Sequence, residues 1–211
     1  MPPVAAAMLG LCERRVRCRQ RSDDMLGPVG RVVLNRASRA DRAELVHGNQ
    51  ASRAYHHPWA EPFTDEAGFD AWLGRSLTGP HVQLVAREAA SGEVVGVVNI
   101  NEIVGGFFQS AYLGYYGMAQ YGKRGLMTEA VGRAVSFAFT DLGLHRLEAN
   151  IQPDNHRSIG LVQRLGFRRE GYSPRYLRIG GVWRDHERWA VLAEEWDDSG
   201  WMSGHPAPAQ S

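Results

Sequence analysis

The sequence predicts a mixed α/β domain organised around one sheet. Three observations carry that expectation. Two helical segments precede three consecutive strand-like runs between residues 81 and 118, the apolar positions from Met127 to Leu142 recur near every 3.6 residues, and the chain then alternates strand, helix, strand, strand as far as Leu192.

In chain order, GRVVLNRA at 30–37 reads as the first strand, and Ser38 is placed to cap a helix running to about His47. YHHPWAEPFT at 55–64 holds two prolines, which remove backbone donors, and is expected as an irregular loop. Thr64, Asp65 and Glu66 open a second helix whose Phe69, Trp72, Leu73 and Leu77 share one face. HVQLVARE at 81–88 and VVGVVNINEI at 94–103 flank the turn ASGE as a hairpin, and AYLGYYGM at 111–118 follows a Gly-rich loop as a third strand. Met127, Val131, Ala134, Val135, Ala138 and Leu142 form the stripe of a long helix expected to start at Thr128 and to stop at Gly143. HRLEANI at 145–151 is a short strand; PDN turns the chain, and Asn155 caps a helix that carries Ile159, Val162 and Leu165 and ends at Gly166. FRREGYS and VWRDHERWAVL, joined across Ile179-Gly180-Gly181, are the last two strands.

Length and charge then narrow the functional classes. The 211 residues are 44% hydrophobic and 22% charged, enough for one domain with its own core, expected over 28–197. Residues 1–27 lack sustained periodicity and are expected as a disordered or misannotated extension, with Met25 an alternative start; 198–211 are expected as a flexible polar tail. Lys and Arg total 24 against 23 Asp and Glu, so a net charge of +1 gives no general attraction to nucleic acid or to an acidic membrane. Cys12 and Cys18 lack metal-ligand spacing, and the arginines 14, 15, 17, 19 and 21 follow the apolar run at 4–12 instead of preceding it, the wrong order for a secretory signal. No apolar stretch approaches the roughly 20 residues that cross a bilayer. The expectation is a cytoplasmic protein with free thiols, no metal, and a monomeric or homodimeric state.

The segment YGKRGLMTEA at 121–130 carries the most chemistry. Glycines there separate a strand end from a helix start, where the first amides have no intrahelical partner and the macrodipole is positive, an arrangement suited to phosphate. Gly122 and Gly125 let backbone approach the oxygens, and Lys123 and Arg124 add full charges. Gly117, Gly122 and Lys123 approximate the nucleotide-triphosphate loop GxxxxGK[ST], but Arg124 stands where a hydroxyl must hold magnesium.

The stretches YLGYYGMAQYGKRGLMTEAVGRAV, LHRLEANIQPDNHRSIGLVQRLGFRREGY and GGVWRDHERWAV resemble the GNAT superfamily of acetyl-CoA-dependent N-acetyltransferases, most of all its ribosomal-protein alanine N-acetyltransferase branch. The resemblance covers roughly 30–196. It implies a central, mostly antiparallel sheet of about seven strands flanked by about four helices, with acetyl-CoA as co-substrate. The family loop Q/R-x-x-G-x-G/A binds the coenzyme pyrophosphate through backbone amides; here Gly125 takes the central glycine, Met127 the last place, and Gly122 falls where Gln or Arg is usual. Met118, Gly122, Lys123, Arg124, Gly125, Leu126, Met127, Thr128, Asn155 and Ser158 are thereby implied as coenzyme contacts.

Acetyl transfer to an amine needs a neutral nucleophile, donors for a developing oxyanion and a proton for the departing thiolate. By resemblance the donors lie on the backbone around Tyr115 to Met118, and Ser158 supplies the proton; read alone, Asn155 caps and Ser158 answers it one turn later. Relatives carry Glu on the fourth strand where this chain has Tyr112, so Tyr112 and Glu102 are the base candidates, Glu102 reading equally as a solvated strand-end carboxylate. His56 and His57 read as a base, an acceptor contact or surface residues. His57, Trp59, Tyr172 and Tyr176 are the implied acceptor-side residues. Asp185, between Arg184 and His186, is expected to order its neighbours by salt bridging. The resemblance implies transfer to a protein N-terminus, such as that of a ribosomal protein, in a ternary complex; a small-amine acetyltransferase and a non-catalytic acyl-CoA-binding module are the alternatives.

Overall fold

Four strands meander antiparallel, β1 (Val32–Arg36), β2 (Val82–Glu88), β3 (Val94–Val104) and β4 (Ser110–Gly117), in a computed structural model that describes residues 30–198. The expected 1–27 extension and the tail beyond Asp198 lie outside the described residues. β4 then pairs β5 (Arg146–Ile151) in parallel, and β6 (Arg168–Ile179) and β7 (Val182–Leu192) complete one seven-stranded sheet in the order β1-β2-β3-β4-β5-β7-β6. A parallel pair needs a crossover, which α4 (Leu126–Thr140) provides. The remaining helices are α1 (Arg42–Ala51), α2 (Arg53–His56), α3 (Glu66–Thr78) and α5 (His156–Arg164).

The core forms where α4 lies on the meander. Ala130, Val131, Ala134, Val135 and Ala138 are fully buried, as are Val95, Val97 and Val98 on β3, whose run of buried residues reflects cover on both faces of the sheet. α1 is anchored electrostatically: Arg87 donates to Asp41 at 2.6 Å and to Glu44 at 2.7 Å, and Glu44 also accepts from the Val94 amide at 2.8 Å.

Helix α4 seats its first turn on a glycine pair. Gly96 on β3 and Gly117 on β4 lie opposite each other, and a Cβ on Gly96 would meet Met127 Sδ at 2.4 Å and the Tyr116 carbonyl at 2.5 Å. The Met127 side chain occupies the space these glycines leave.

Several boundaries differ from expectation. α4 begins at Leu126, two residues before Thr128, because Gly125 in the left-handed region (φ 76°) already turns the backbone into the helix. α1 runs on to Ala51, and 53–56 form the short α2, which overlaps the start of the segment 55–64 expected as loop, since Pro58 interrupts only the chain after His56. Leu77 is 73% exposed, one turn beyond the buried face of α3. β6 continues past Ser173 to Ile179, with a register shift between Ser173 and Leu177 that accommodates Pro174 at the sheet edge.

β4 and β5 pair only over Ser110–Leu113 and Arg146–Ala149, although both strands continue. Beyond that point they part. Gly96→Ala is expected to lower unfolding free energy by roughly 1–3 kcal/mol, since backbone as well as Met127 must shift; a urea midpoint equal to wild type would contradict the seating of α4 on the glycine pair.

Candidate active site

The gap between the diverging strands holds two cavities of about 490 Å³ each. The first is bounded by the end of β4, the loop 118–125, the start of α4 and one side of α5; it is lined by Gly117, Met118, Tyr121, Gly122, Lys123, Gly125, Met127 and Thr128, with Tyr55, His156, Arg157 and Arg164 opposite. Among the described residues, the amides of Lys123, Arg124, Gly125, Leu126 and Met127 donate to no backbone oxygen, while Thr128 and Glu129 already bond back to the Gly125 carbonyl. Free amides therefore crowd one rim of a cavity whose side chains are cationic. Arg157 stacks on Tyr55 at 5.5 Å, closing the opposite rim.

The second cavity lies on the other side of the α5 start, between β4, β5 and the 59–63 loop; Leu113, Gly114, Tyr115, Tyr116, Asn150, Gln152, Asn155, Ser158, Trp59, Glu61, Trp72, Arg75 and His186 are among its lining. Asn155 Oδ1 accepts from the Ser158 amide at 3.2 Å, so Asn155 does cap α5. The Ser158 hydroxyl lies 2.7 Å from that of Tyr115, whose phenol is pushed up to about 12 by burial and stays protonated. Trp72 donates to Asn99 at 2.9 Å, fixing one wall.

The ladder alternates, and the Met118 amide bonds Val95 on β3. Tyr115 and Gly117 therefore present their amides to the side β5 has left. There His56, from α2, takes the place of the missing strand: its Nε2 donates to the Gly117 carbonyl at 2.9 Å. Ser52 accepts from the Ala119 amide at 3.0 Å, and Asn49 spans the Phe63 carbonyl and Tyr116 hydroxyl.

The structure brings together some of the sequence-derived candidates and separates others. Met118, Gly122, Lys123, Gly125, Met127 and Thr128 share the first cavity; Asn155, Ser158 and Trp59 share the second. Leu126 is in the core, and Arg124 turns to Glu88 and the Tyr121 ring. Glu102 sits at a positive φ of 51° beside His81 and lines neither cavity. Tyr112, Tyr172 and Tyr176 line neither cavity, and burial and then Tyr176 and Glu148 push the Tyr112 phenol up. His57 is exposed, whereas His56 is only 4% exposed and is not a surface residue. Asp185 bonds the Tyr172 hydroxyl and the Arg175 amide rather than pairing with Arg184. Sequence reasoning missed the side chains of Tyr55, Tyr115, Arg157 and Arg164; the one available signal was the seven-residue spacing of Arg157 and Arg164, two helical turns, which puts both on one face of α5.

The acetyltransferase (GNAT) domain model matches residues 31–168. The chain is 34% identical over 175 residues to the [Ribosomal protein uS5]-alanine N-acetyltransferase of Escherichia coli, covering 79% of this chain and 90% of that protein. This chain belongs to the GNAT acetyltransferase family. The structure of Mycobacterium smegmatis RimJ in complex with CoA-disulfide superposes on this acetyltransferase with a TM-score of 0.72 at 29% identity, over 81% of this chain and 86% of that one. The Spermidine N(1)-acetyltransferase of Vibrio cholerae is 25% identical over 166 residues, 78% of this chain and 95% of that protein. As a GNAT protein it is an acetyl-CoA-dependent N-acetyltransferase, and the reading as a non-catalytic module falls.

Burial holds the imidazoles of His56 and His186 below their ordinary range, against the smaller opposing effect of their backbone bonds. Both are neutral in the folded acetyltransferase near pH 7, and the unfolded chain binds protons more readily. Stability is therefore full above about pH 6.5 and falls as pH drops below it. His56→Gln keeps a donor for Gly117 and should flatten that fall; equal slopes of unfolding free energy between pH 7 and 5 in both proteins would show that His56 is not its source.

Proposed function

We propose that the enzyme acetylates the N-terminal α-amine of a protein, a ribosomal protein being the favoured class, by direct transfer in a ternary complex. The observation that carries this reading is the position of the α5 start between the two cavities: His156 and Arg157 face the first, Asn155 and Ser158 the second. The first cavity suits the phosphates of acetyl-CoA, with the amides of 123–127 as the pyrophosphate cradle and Lys123, Arg157 and Arg164 as counter-charges. When bound, acetyl-CoA supplies the thioester carbonyl.

This chain's residues do the rest. The Tyr115 and Gly117 amides face the gap as donors to a developing oxyanion. With Tyr115 as the donor in its 2.7 Å bond to Ser158 Oγ, the Ser158 proton is left for the departing thiolate. In the second cavity Glu61 offers a carboxylate to an incoming ammonium, and Trp59 and Trp72 offer apolar walls to the residue behind it. The likeness to the uS5-alanine enzyme over nine-tenths of its length supports a peptide acceptor. The weaker likeness to the spermidine enzyme supports a polyamine as the second reading.

Thiol release from acetyl-CoA, measured with an Ala- or Ser-initiated peptide and with spermidine, separates the two. Turnover with the peptide alone is expected; turnover with spermidine alone would reverse the assignment. In the same assay Ser158→Ala should lower kcat by about ten- to a hundredfold with acetyl-CoA affinity little changed. Gly125→Glu places a carboxylate in the cradle at a left-handed backbone position and should abolish acetyl-CoA binding in calorimetry, with circular dichroism to establish that it folds.

A further inference from the structure

An amine that attacks the thioester must lose a proton, yet neither Tyr112 nor Glu102, the two base candidates of the sequence, lines either cavity. The second cavity does hold one imidazole. His186, on β7 opposite Ser173 of β6, is 3% exposed and lines the cavity with Ser158 and Tyr115. Its Nδ1 is 3.0 Å from the Arg184 carbonyl, an acceptor, so Nδ1 carries the hydrogen and Nε2 carries the lone pair.

We propose that His186 Nε2 takes the proton from the acceptor amine, directly or through one water; this rests on the same reading of the second cavity as the acceptor site. The amine nitrogen forms its bond to the acetyl carbon and passes a proton to Nε2. The carbon–sulfur bond breaks, and the thiolate takes the Ser158 proton. Ser158 is reprotonated through Tyr115 and solvent as His186 returns its proton to solvent, so nothing beyond acetyl-CoA and the amine is consumed.

The surroundings fit a neutral base. Asp185, the adjacent carboxylate, is engaged by Tyr172 and the Arg175 amide. From β6 the Tyr176 ring stands 6.2 Å away. Across β5, Asn150 and Gln152 are uncharged, and Glu187, opposite Ile151, pairs with Arg169 at 3.0 Å. β4 contributes Tyr115 and Tyr116, both phenols held protonated by burial, α3 contributes Arg75 and the 59–63 loop Glu61. Burial outweighs the nearby Asp185 and holds the imidazole below its ordinary range, so it is free to accept at pH 7.

The test uses the full-length chain with acetyl-CoA and whichever acceptor the wild type turns over. His186→Asn retains a side-chain N–H for the Arg184 carbonyl and lacks the basic nitrogen, so a purely structural role is satisfied by it. A fall in kcat of at least a hundredfold at pH 8 is expected, with acetyl-CoA affinity unchanged and the acidic limb of the kcat profile below pH 6.5 lost. Added imidazole should restore turnover to His186→Ala in proportion to its concentration. A kcat within threefold of wild type in the Asn variant, or a surviving acidic limb, overturns the assignment of His186 alone. A wild type active only on spermidine overturns the peptide reading and leaves the His186 comparison intact, and one inactive on both acceptors overturns the two together.

Discussion

The site exists because β4 leaves β5. Backbone groups that part from their ladder partners cost free energy unless something else satisfies them. α1 and α2 meet that demand: His56 holds the Gly117 carbonyl, Ser52 the Ala119 amide, and Asn49 ties Tyr116 to the Phe63 carbonyl. The carbonyl of Gly117 is thus satisfied while its amide and that of Tyr115 stay directed into the gap. Both cavities, and the α5 start between them, are consequences of this one divergence.

A second consequence concerns charge. The whole chain is balanced at +1, yet the first cavity gathers Lys123, Arg157 and Arg164 around unpaired amides. Arg124, the residue that a reading by composition would add to this group, instead neutralises Glu88 on β2. The phosphate-facing field is therefore built largely from oriented backbone, which the packing of Met127 against the Gly96–Gly117 pair positions. Oriented amides cost no reorganisation when an anion arrives, and they leave the net charge unmoved.

The sequence made the sheet, the order of its elements and the loop at 121–128 legible, because apolar periodicity and glycine placement are local signals. The divergence of β4 was not legible: nothing in AYLGYYGM says where pairing with a strand thirty-odd residues later will cease. For the same reason His56 looked like a surface residue of a loop, since its burial depends on the gap it fills. Tyr115 was visible only as backbone; its hydroxyl acquires meaning from Ser158, which the fold brings within 2.7 Å. Glu102 drew notice through its place near a strand end, but the bulge in β3 between Asn101 and Val104 turns it to His81.

If the acceptor is the α-amine proposed above, a base as weak as an imidazole suits it. A chain N-terminus titrates near 7.7–8.0, whereas a lysine or polyamine nitrogen titrates near 10.4. Whatever the strength of the imidazole, taking a proton from an α-ammonium costs about 3 kcal/mol less than taking it from a lysine-like ammonium. A buried neutral histidine is thus an adequate proton acceptor for the first and a poor one for the second. Specificity for an α-amine would then follow partly from the strength of the base and not only from the shape of the cavity, and the carboxylate of Glu61 need only orient the ammonium, not deprotonate it.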